Sequence, residues 1–256
     1  VSATSGSFND EATPISTNDL ANFVSTTNSF WDARENKTVM PIDLNVGNLA
    51  IWSQTNTSLR ASLIGSNLSS VYVLDTRTLP STSLGAVRVV NGQQLPSDGL
   101  TVATARPLYV LGDFNSDTAT RGTTNTTTTL PASLVADAIT ILSDAWKDGN
   151  SSNAVASRVA APTTVNAAFL TGVVDTTTAH YSGGMENFPR FLETWGSGNI
   201  FTYNGSMIKM FPSLYATNAW NNNGDIYAPP SRNWAYDINF DDPTKLPPKT
   251  PSLLKV

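Results

Sequence analysis

Hydrophobic positions along this chain gather in short runs rather than long stripes. Residues 107–115, 165–174 and 201–211 each hold a brief apolar stretch marked by Gly or Asn. Buried strands stacked in a parallel β-solenoid have this texture, and unequal intervals make the repeat degenerate. Further strands are predicted at 71–74, at 86–90 before the turn pair Asn91-Gly92, at 100–103, and at 108–111 after Pro107. Helical spacing predicts a helix capped by Ser16 or Thr17 with Leu20, Phe23, Val24, Thr27, Phe30, Trp31 and Arg34 on its stripe. A second helix is expected at 46–54, with Val46, Leu49 and Trp52 on one side. A third runs from Pro131 to Trp146 through Leu134, Val135, Ala138, Ile141 and Leu142. A short amphipathic helix is expected from Glu186 to Trp195.

These elements predict a mainly β fold: a right-handed parallel β-helix with inserted helices and a helical N-terminal cap. The alternative is a β-sandwich with inserted helices. Residues 1–15 read as an extended lead-in and 16–256 as one domain. Within it, 16–55 form the cap, 70–211 the β-core, and 212–256 an irregular tail rich in Pro and aromatics, pinned by Trp234, Tyr236 and Phe240.

Composition narrows the setting. Charged residues are 14% of the 256, against roughly 25% in an ordinary domain, and Thr, Ser and Asn take their place, as in the tract 123–129. This surface chemistry points to an exported β-protein. The net charge of −5 comes with 15 scattered Lys and Arg, which argues against nucleic acid and anionic membranes as partners. There is no cysteine, so disulfides, thiolate metal sites and cysteine nucleophiles are excluded. His180 is the single histidine, and no apolar stretch is long enough for a membrane-spanning helix. Val1 followed by Ser-Ala-Thr-Ser-Gly-Ser reads as the start of a processed or excised segment.

Certain phrases occur together: Phe30-Trp31-Asp32-Ala33-Arg34-Glu35-Asn36-Lys37-Thr38-Val39, Ala86-Val87-Arg88-Val89-Val90-Asn91-Gly92, Leu108-Tyr109-Val110-Leu111-Gly112-Asp113-Phe114-Asn115, Tyr181-Ser182-Gly183-Gly184-Met185-Glu186-Asn187-Phe188-Pro189-Arg190-Phe191-Leu192-Glu193, and Pro229-Pro230-Ser231-Arg232-Asn233-Trp234. As a set, over residues 20–251, they resemble the C-terminal region of large bacterial pilin-like, pilus-assembly (PilX-like) surface proteins. That resemblance implies an extracytoplasmic, pilus-associated or adhesive role and no particular activity. The pilin-like N-terminal segment of that family has no counterpart here.

Candidate chemistry is densest at 180–195. On a helix, Glu186, Arg190 and Glu193 share a face where two carboxylates flank a guanidinium. With Tyr181, Trp195 and Trp234 they form either a grip for a sugar or peptide terminus, or a clamp tying the helix to the core. Two loops follow Asp-x-Asn-x-Asp, at Asp113, Asn115 and Asp117 and at Asp237, Asn239 and Asp241. Alternating oxygens suit Ca²⁺, although both loops lack the glycine and distal Glu of an EF-hand, and Asp and Asn also serve turns. Asp113, Asp117, Glu186, Asp237, Asp241 and Asp242 are candidates for acid–base work on glycosidic bonds, with Arg121 or Arg190 beside them. No nucleophile elbow surrounds His180 and Ser182, and Gly183-Gly184 lacks the Lys-Ser/Thr of a phosphate loop.

The reading is a secreted or cell-surface structural or adhesive module of a pilus-like filament, non-catalytic, partnered by other copies or surface components. The competing reading is a polysaccharide-active enzyme on the same scaffold.

Overall fold

The computed structural model describes residues 15–63, 67–178, 181–196, 198–220 and 225–251. The chain begins with α1 (Thr17–Ala21), β1 (Val24–Ser25), β2 (Phe30–Asp32) and β3 (Lys37–Asn45), followed by α2 (Val46–Thr55) and α3 (Thr57–Ser62). Next come β4 (Ser70–Val73), β5 (Ser83–Val90), β6 (Leu100–Thr104), β7 (Leu108–Leu111), β8 (Ala132–Ala136) and β9 (Ile139–Leu142). The remainder supplies β10 (Thr163–Asn166), β11 (Ala168–Val173), β12 (Pro189–Phe191), β13 (Ile200–Gly205), β14 (Met207–Pro212) and β15 (Ser231–Tyr236).

The fold is mainly β, with three largely parallel sheets. The first runs β1-β3-β5-β7-β9-β12, with β2 also on β3; the second runs β4-β6-β8-β11-β14; the third runs β10-β13-β15. Among the described residues only β1 and β2 pair antiparallel, both with β3. Isolated parallel bridges from Gly92 to Phe114 and from Phe114 to Val165 extend the third sheet.

Period-two alternation turns one side chain in every two inward, and parallel register stacks these in rows. Val89, Val110, Ile141 and Phe191 form the row of the first sheet. Val71, Val102, Leu134, Phe169 and Met207 form that of the second. Phe114, Val165, Tyr203 and Trp234 form that of the third. All three rows meet in one apolar core. Each fully buried Leu, Ile, Val or Phe contributes roughly 1.5–3 kcal/mol of transfer free energy.

Beside the third row runs a ladder of amides. Asn166 Nδ2 donates to the Asn115 carbonyl at 2.8 Å, and Asn204 Nδ2 donates to Asn166 Oδ1 at 2.7 Å. Asn115 holds φ at +53°, a value Asn tolerates better than most residues.

The helical expectations divide. Ser16 caps α1 by accepting from Asp19 N at 3.1 Å, and α2 buries Val46, Leu49 and Trp52. The first helix, expected to reach Arg34, stops at Ala21. Val24, Thr26 and Thr27 are β-branched, and Phe30–Asp32 pairs instead with β3. The segment 131–146 is no helix but β8 and β9. Its apolar set also satisfies alternation, with Leu134 and Ile141 facing the core and Ser133 and Thr140 away, and pairing with β6 and β7 decides between the two periods. The segment 186–195 is a 3₁₀ turn (Gly184–Asn187) followed by β12, since Pro189 brings no N–H for a helix and pairs with Ile139 instead. The strands expected at 165–174 and 201–211 each turn a corner, at Ala167 and Ser206. At the second corner a Cβ on Gly205 would lie 2.0 Å from the Ala167 carbonyl oxygen. The tail contributes β15, which adds Trp234 to the third sheet.

Candidate functional site

The outer face of the first sheet carries the densest ionic chemistry of the described residues. Its strands repeat an apolar-polar-apolar triplet: Ile42-Asp43-Leu44, Val87-Arg88-Val89, Leu108-Tyr109-Val110, Ile139-Thr140-Ile141 and Pro189-Arg190-Phe191. Parallel register aligns the central residues, so Asp43, Arg88, Tyr109, Thr140 and Arg190 stand in one row. A second apolar cluster containing Phe30, Val39, Trp146 and Leu192 covers this face, which leaves the row buried.

Burial obliges each charge to find a partner. Arg88 is gripped by both oxygens of Asp43 at 2.7 and 2.9 Å and by Asp148 at 2.7 Å. Burial by itself lowers the pKa of Arg88, but the bonds to Asp43 and Asp148 more than reverse that and hold it above its ordinary value. The Tyr109 hydroxyl donates to Asp32 Oδ2 at 2.6 Å, and burial together with that carboxylate raises its pKa. At the far end Arg190 pairs with Glu35 at 2.8 Å and donates to the Ala216 carbonyl at 2.8 Å. Glu35 also accepts from Asn218 N at 3.1 Å. Arg34 donates to Asn187 Oδ1 at 3.0 Å and to the Asn218 carbonyl at 3.2 Å. Desolvation, then the neighbouring Arg190 charge, lowers Arg34 to about 9, while desolvation raises Glu35. The turn around residue 35, β12 and the segment 216–218 are therefore tied by charge.

Of the predicted trio Glu186, Arg190 and Glu193, the last two are not paired with each other. Glu186 falls in the 3₁₀ turn, and its side chain lies outside the described residues, as does His180. Arg190 turns toward Glu35. Glu193 accepts from Ser143 N and Oγ, both at 2.7 Å, and burial raises its pKa. Trp195 is fully buried against Phe191 and Phe201. Tyr181 is exposed and meets Trp220 edge-on at 5.6 Å, whereas Trp234 packs against Phe201 and Tyr203. Arg158, not singled out from sequence, donates to the carbonyls of Leu192, Ser151, Asn153 and Ile226.

The two acidic loops do not fit Ca²⁺. Asp113 pairs with Arg121 and accepts from Thr164 N at 2.7 Å. Asn115 spends Oδ1 on Leu130 N, and Asp117 accepts from the backbone of Ala119 and Thr120 and from the Thr120 and Thr128 hydroxyls. Those hydroxyl and backbone donors hold Asp117 down at about 2. Asp237 caps a 3₁₀ turn by accepting from Asn239 N, Asn239 donates to the Thr126 carbonyl, and Asp241 accepts from Tyr236. No group of three or more acidic or histidine side chains is placed to hold a metal among the described residues.

One open cleft, of about 410 Å³, lies between the threonine-rich loop and the third sheet. It is lined by Thr118, Arg121, Thr163, Thr164, Ile200 and Thr202. Asp144 approaches Arg121 at 3.3 Å; burial and the Asp113 charge raise its pKa. Thr163, Thr164 and Thr202 are each 1% exposed, which leaves Thr118 and the Arg121 ion pair as the accessible polar side chains of its lining.

No family model, no curated protein and no solved structure matches this chain. No helix among the described residues is long and apolar enough to cross a membrane.

Proposed function

We propose that this chain is an extracellular structural or adhesive module of a pilus-like surface assembly, built as a right-handed parallel β-helix and working without catalysis. The supporting observation is the covered polar row. The arginines and carboxylates richest in potential chemistry point into it and are consumed in ties between segments far apart in the chain, as Arg190 and Glu35 are. Parallel pairing in three sheets, apolar rows in register and an amide ladder are what a coil stacking on itself needs. A surface poor in charge and rich in Thr, Ser and Asn, on a chain with no cysteine, suits an exported protein. On this reading adhesion is non-covalent, and the cleft beside Thr118 and Arg121 is its first candidate for carbohydrate binding.

The cleft also favours a second reading, a polysaccharide-active enzyme. Asp113 and Asp144 flank Arg121, and a carboxyl with a raised pKa suits a general acid. One screen separates the two. The chain is incubated with a panel of neutral and uronate-containing polysaccharides while reducing ends and unsaturated uronate absorbance are followed. The module reading expects no product. Product that Asp144→Asn abolishes overturns it.

A further inference from the structure

Eight of the described acidic side chains are buried. In seven of them, Asp32, Glu35, Asp43, Asp75, Asp113, Asp137 and Glu193, both carboxylate oxygens accept hydrogen bonds. Asp237 is the exception. It is 4% exposed, yet only Oδ1 is engaged, by Asn239 N at 3.0 Å. Oδ2 has no donor among the described residues, and a buried charged oxygen without one is costly.

Asp237 lines a hollow of about 200 Å³ at the far end of the threonine-rich loop, where that loop meets the tail. The backbone around the hollow is fastened: Asp237 N donates to the Gly205 carbonyl at 3.3 Å, and Asn239 Nδ2 donates to the Thr126 carbonyl at 2.8 Å. Leu130, Pro131 and Phe240, all half-buried, supply its apolar lining. Thr127 and Lys245, both exposed, stand at its mouth. Lys245 Nζ donates to Asn239 Oδ1 at 3.3 Å, which keeps a positive charge on the same hollow as the carboxylate.

We infer that this hollow binds one neutral sugar ring, with Asp237 accepting from a ring hydroxyl. The inference rests on the adhesive-module reading and adds a carbohydrate site apart from the cleft at Arg121. Three features select this ligand. The idle oxygen requires a donor, and a sugar hydroxyl is one. Charge disfavours ions: a cation drawn to Asp237 meets Lys245, and an anion drawn to Lys245 meets Asp237. The lining sets three apolar residues against a carboxylate and a hydroxyl, which matches a ring with C–H faces and O–H edges. Size then limits the ligand, because about 200 Å³ lies below the roughly 300–1,000 Å³ of pockets for drug-sized molecules. That is room for a single ring, whereas a peptide needs a longer groove.

The full 256-residue chain is titrated with the methyl glycosides of glucose, galactose, mannose, glucosamine and glucuronic acid while backbone amide NMR shifts are followed. At least one neutral glycoside is expected to move the Thr127, Asn239 and Phe240 amides with a millimolar Kd, and the two charged ones to bind at least tenfold more weakly. Asp237→Asn keeps an acceptor for Asn239 N, so it should weaken binding at least tenfold with the melting temperature unchanged. Thr127→Val, at an exposed position, should weaken it severalfold, and it decides the matter if Asp237→Asn does not fold. Amides at the hollow that respond to no neutral glycoside overturn the inference, as does binding indifferent to these substitutions. Tighter binding of a charged glycoside overturns it too, and so do shifts confined to the Arg121 and Gly122 amides, which would put the sugar in the other cleft. Sugar binding here together with release of reducing ends from a polysaccharide strikes the module reading and leaves the site. Neither binding nor release strikes the site and leaves the module reading.

Discussion

Replacing Arg190 with Met removes the positive end of a pair that is almost wholly buried, with side-chain exposures of 5% for Arg190 and 3% for Glu35. The methionine fills much the same space, so the loss is electrostatic. Glu35 keeps its bond from Asn218 N, and the Ala216 carbonyl loses its donor. Breaking a buried pair from one side costs about 3–5 kcal/mol. Arg34 tempers this, because Arg190 is part of what lowers its pKa, and it can supply part of the missing charge. A cost of about 3 kcal/mol is expected. Glu35→Gln/Arg190→Met should recover at least half of it, since no charge is stranded. The sign of the pH dependence follows from Glu35, whose folded pKa is raised above 4.5 and rises further without Arg190. A carboxyl with a raised folded pKa binds protons more tightly when folded. The charge part of the variant's deficit is therefore full above the variant's folded pKa and shrinks as pH falls toward the folded pKa of wild type, below which only the pH-independent loss at the Ala216 carbonyl remains. Urea midpoints of wild type, both single variants and the double variant, at neutral and acid pH, measure each quantity. A single-variant cost below about 1 kcal/mol, or a deficit that grows on acidification, would refute the buried-pair account.

Asn166→Ala cuts the amide ladder at its middle rung, removing the donor to the Asn115 carbonyl and the acceptor for Asn204; a loss of about 2–3 kcal/mol in a denaturant titration is expected from two stranded groups. Gly205→Ala places a methyl 2.0 Å from the Ala167 carbonyl oxygen, so the Ser206 corner must shift, and thermal melting should show a clear loss where an ordinary strand glycine would gain from alanine. Asp117 sits near 2 instead of 3.8 because hydroxyl and backbone donors favour its charged form. Its contribution to the threonine-rich loop is present above 3.8 and lost as pH falls toward 2, and its NMR titration should follow that midpoint.

The strands were legible where alternation and burial agree, and illegible where two periods fit one apolar set. Leu134, Ala138, Ile141 and Leu142 satisfy both a helical stripe and two strands with a corner at Asp137; the neighbours β6 and β7, remote in sequence, make the choice. The ionic site was hidden for the same reason. Local spacing joined Arg190 to Glu186 and Glu193, whereas the partner it meets is Glu35, 155 residues away. A signal was nevertheless present: one polar residue between two apolar ones recurs at 43, 88, 109, 140 and 190. In a half-exposed sheet that alternation means a wet outer face. Here Phe30, Trp146 and Leu192 cover the face, and only the low charge content hinted that a guanidinium in such a triplet would be buried.

Cohesion in this fold runs in two directions with different chemistry. Along the stack, backbone ladders and rows such as Val102, Leu134 and Phe169 join each strand to the next. Across it, where no ladder reaches, side-chain ties bind the covering segments, as Arg190 does to Ala216 and Asp137 to the N–H groups of Leu214, Tyr215 and Ala216. The two should fail separately, because local openings follow the contacts of each unit rather than the global transition. In Arg190→Met, hydrogen exchange at the Asn218 amide, whose acceptor is Glu35, should quicken by an order of magnitude or more. The Leu134 amide, inside a five-stranded sheet, should keep its protection relative to global stability. Equal acceleration at both would mean that the covering segment and the stack unfold as one unit, and that the ionic ties are part of the core and not a fastening laid across it.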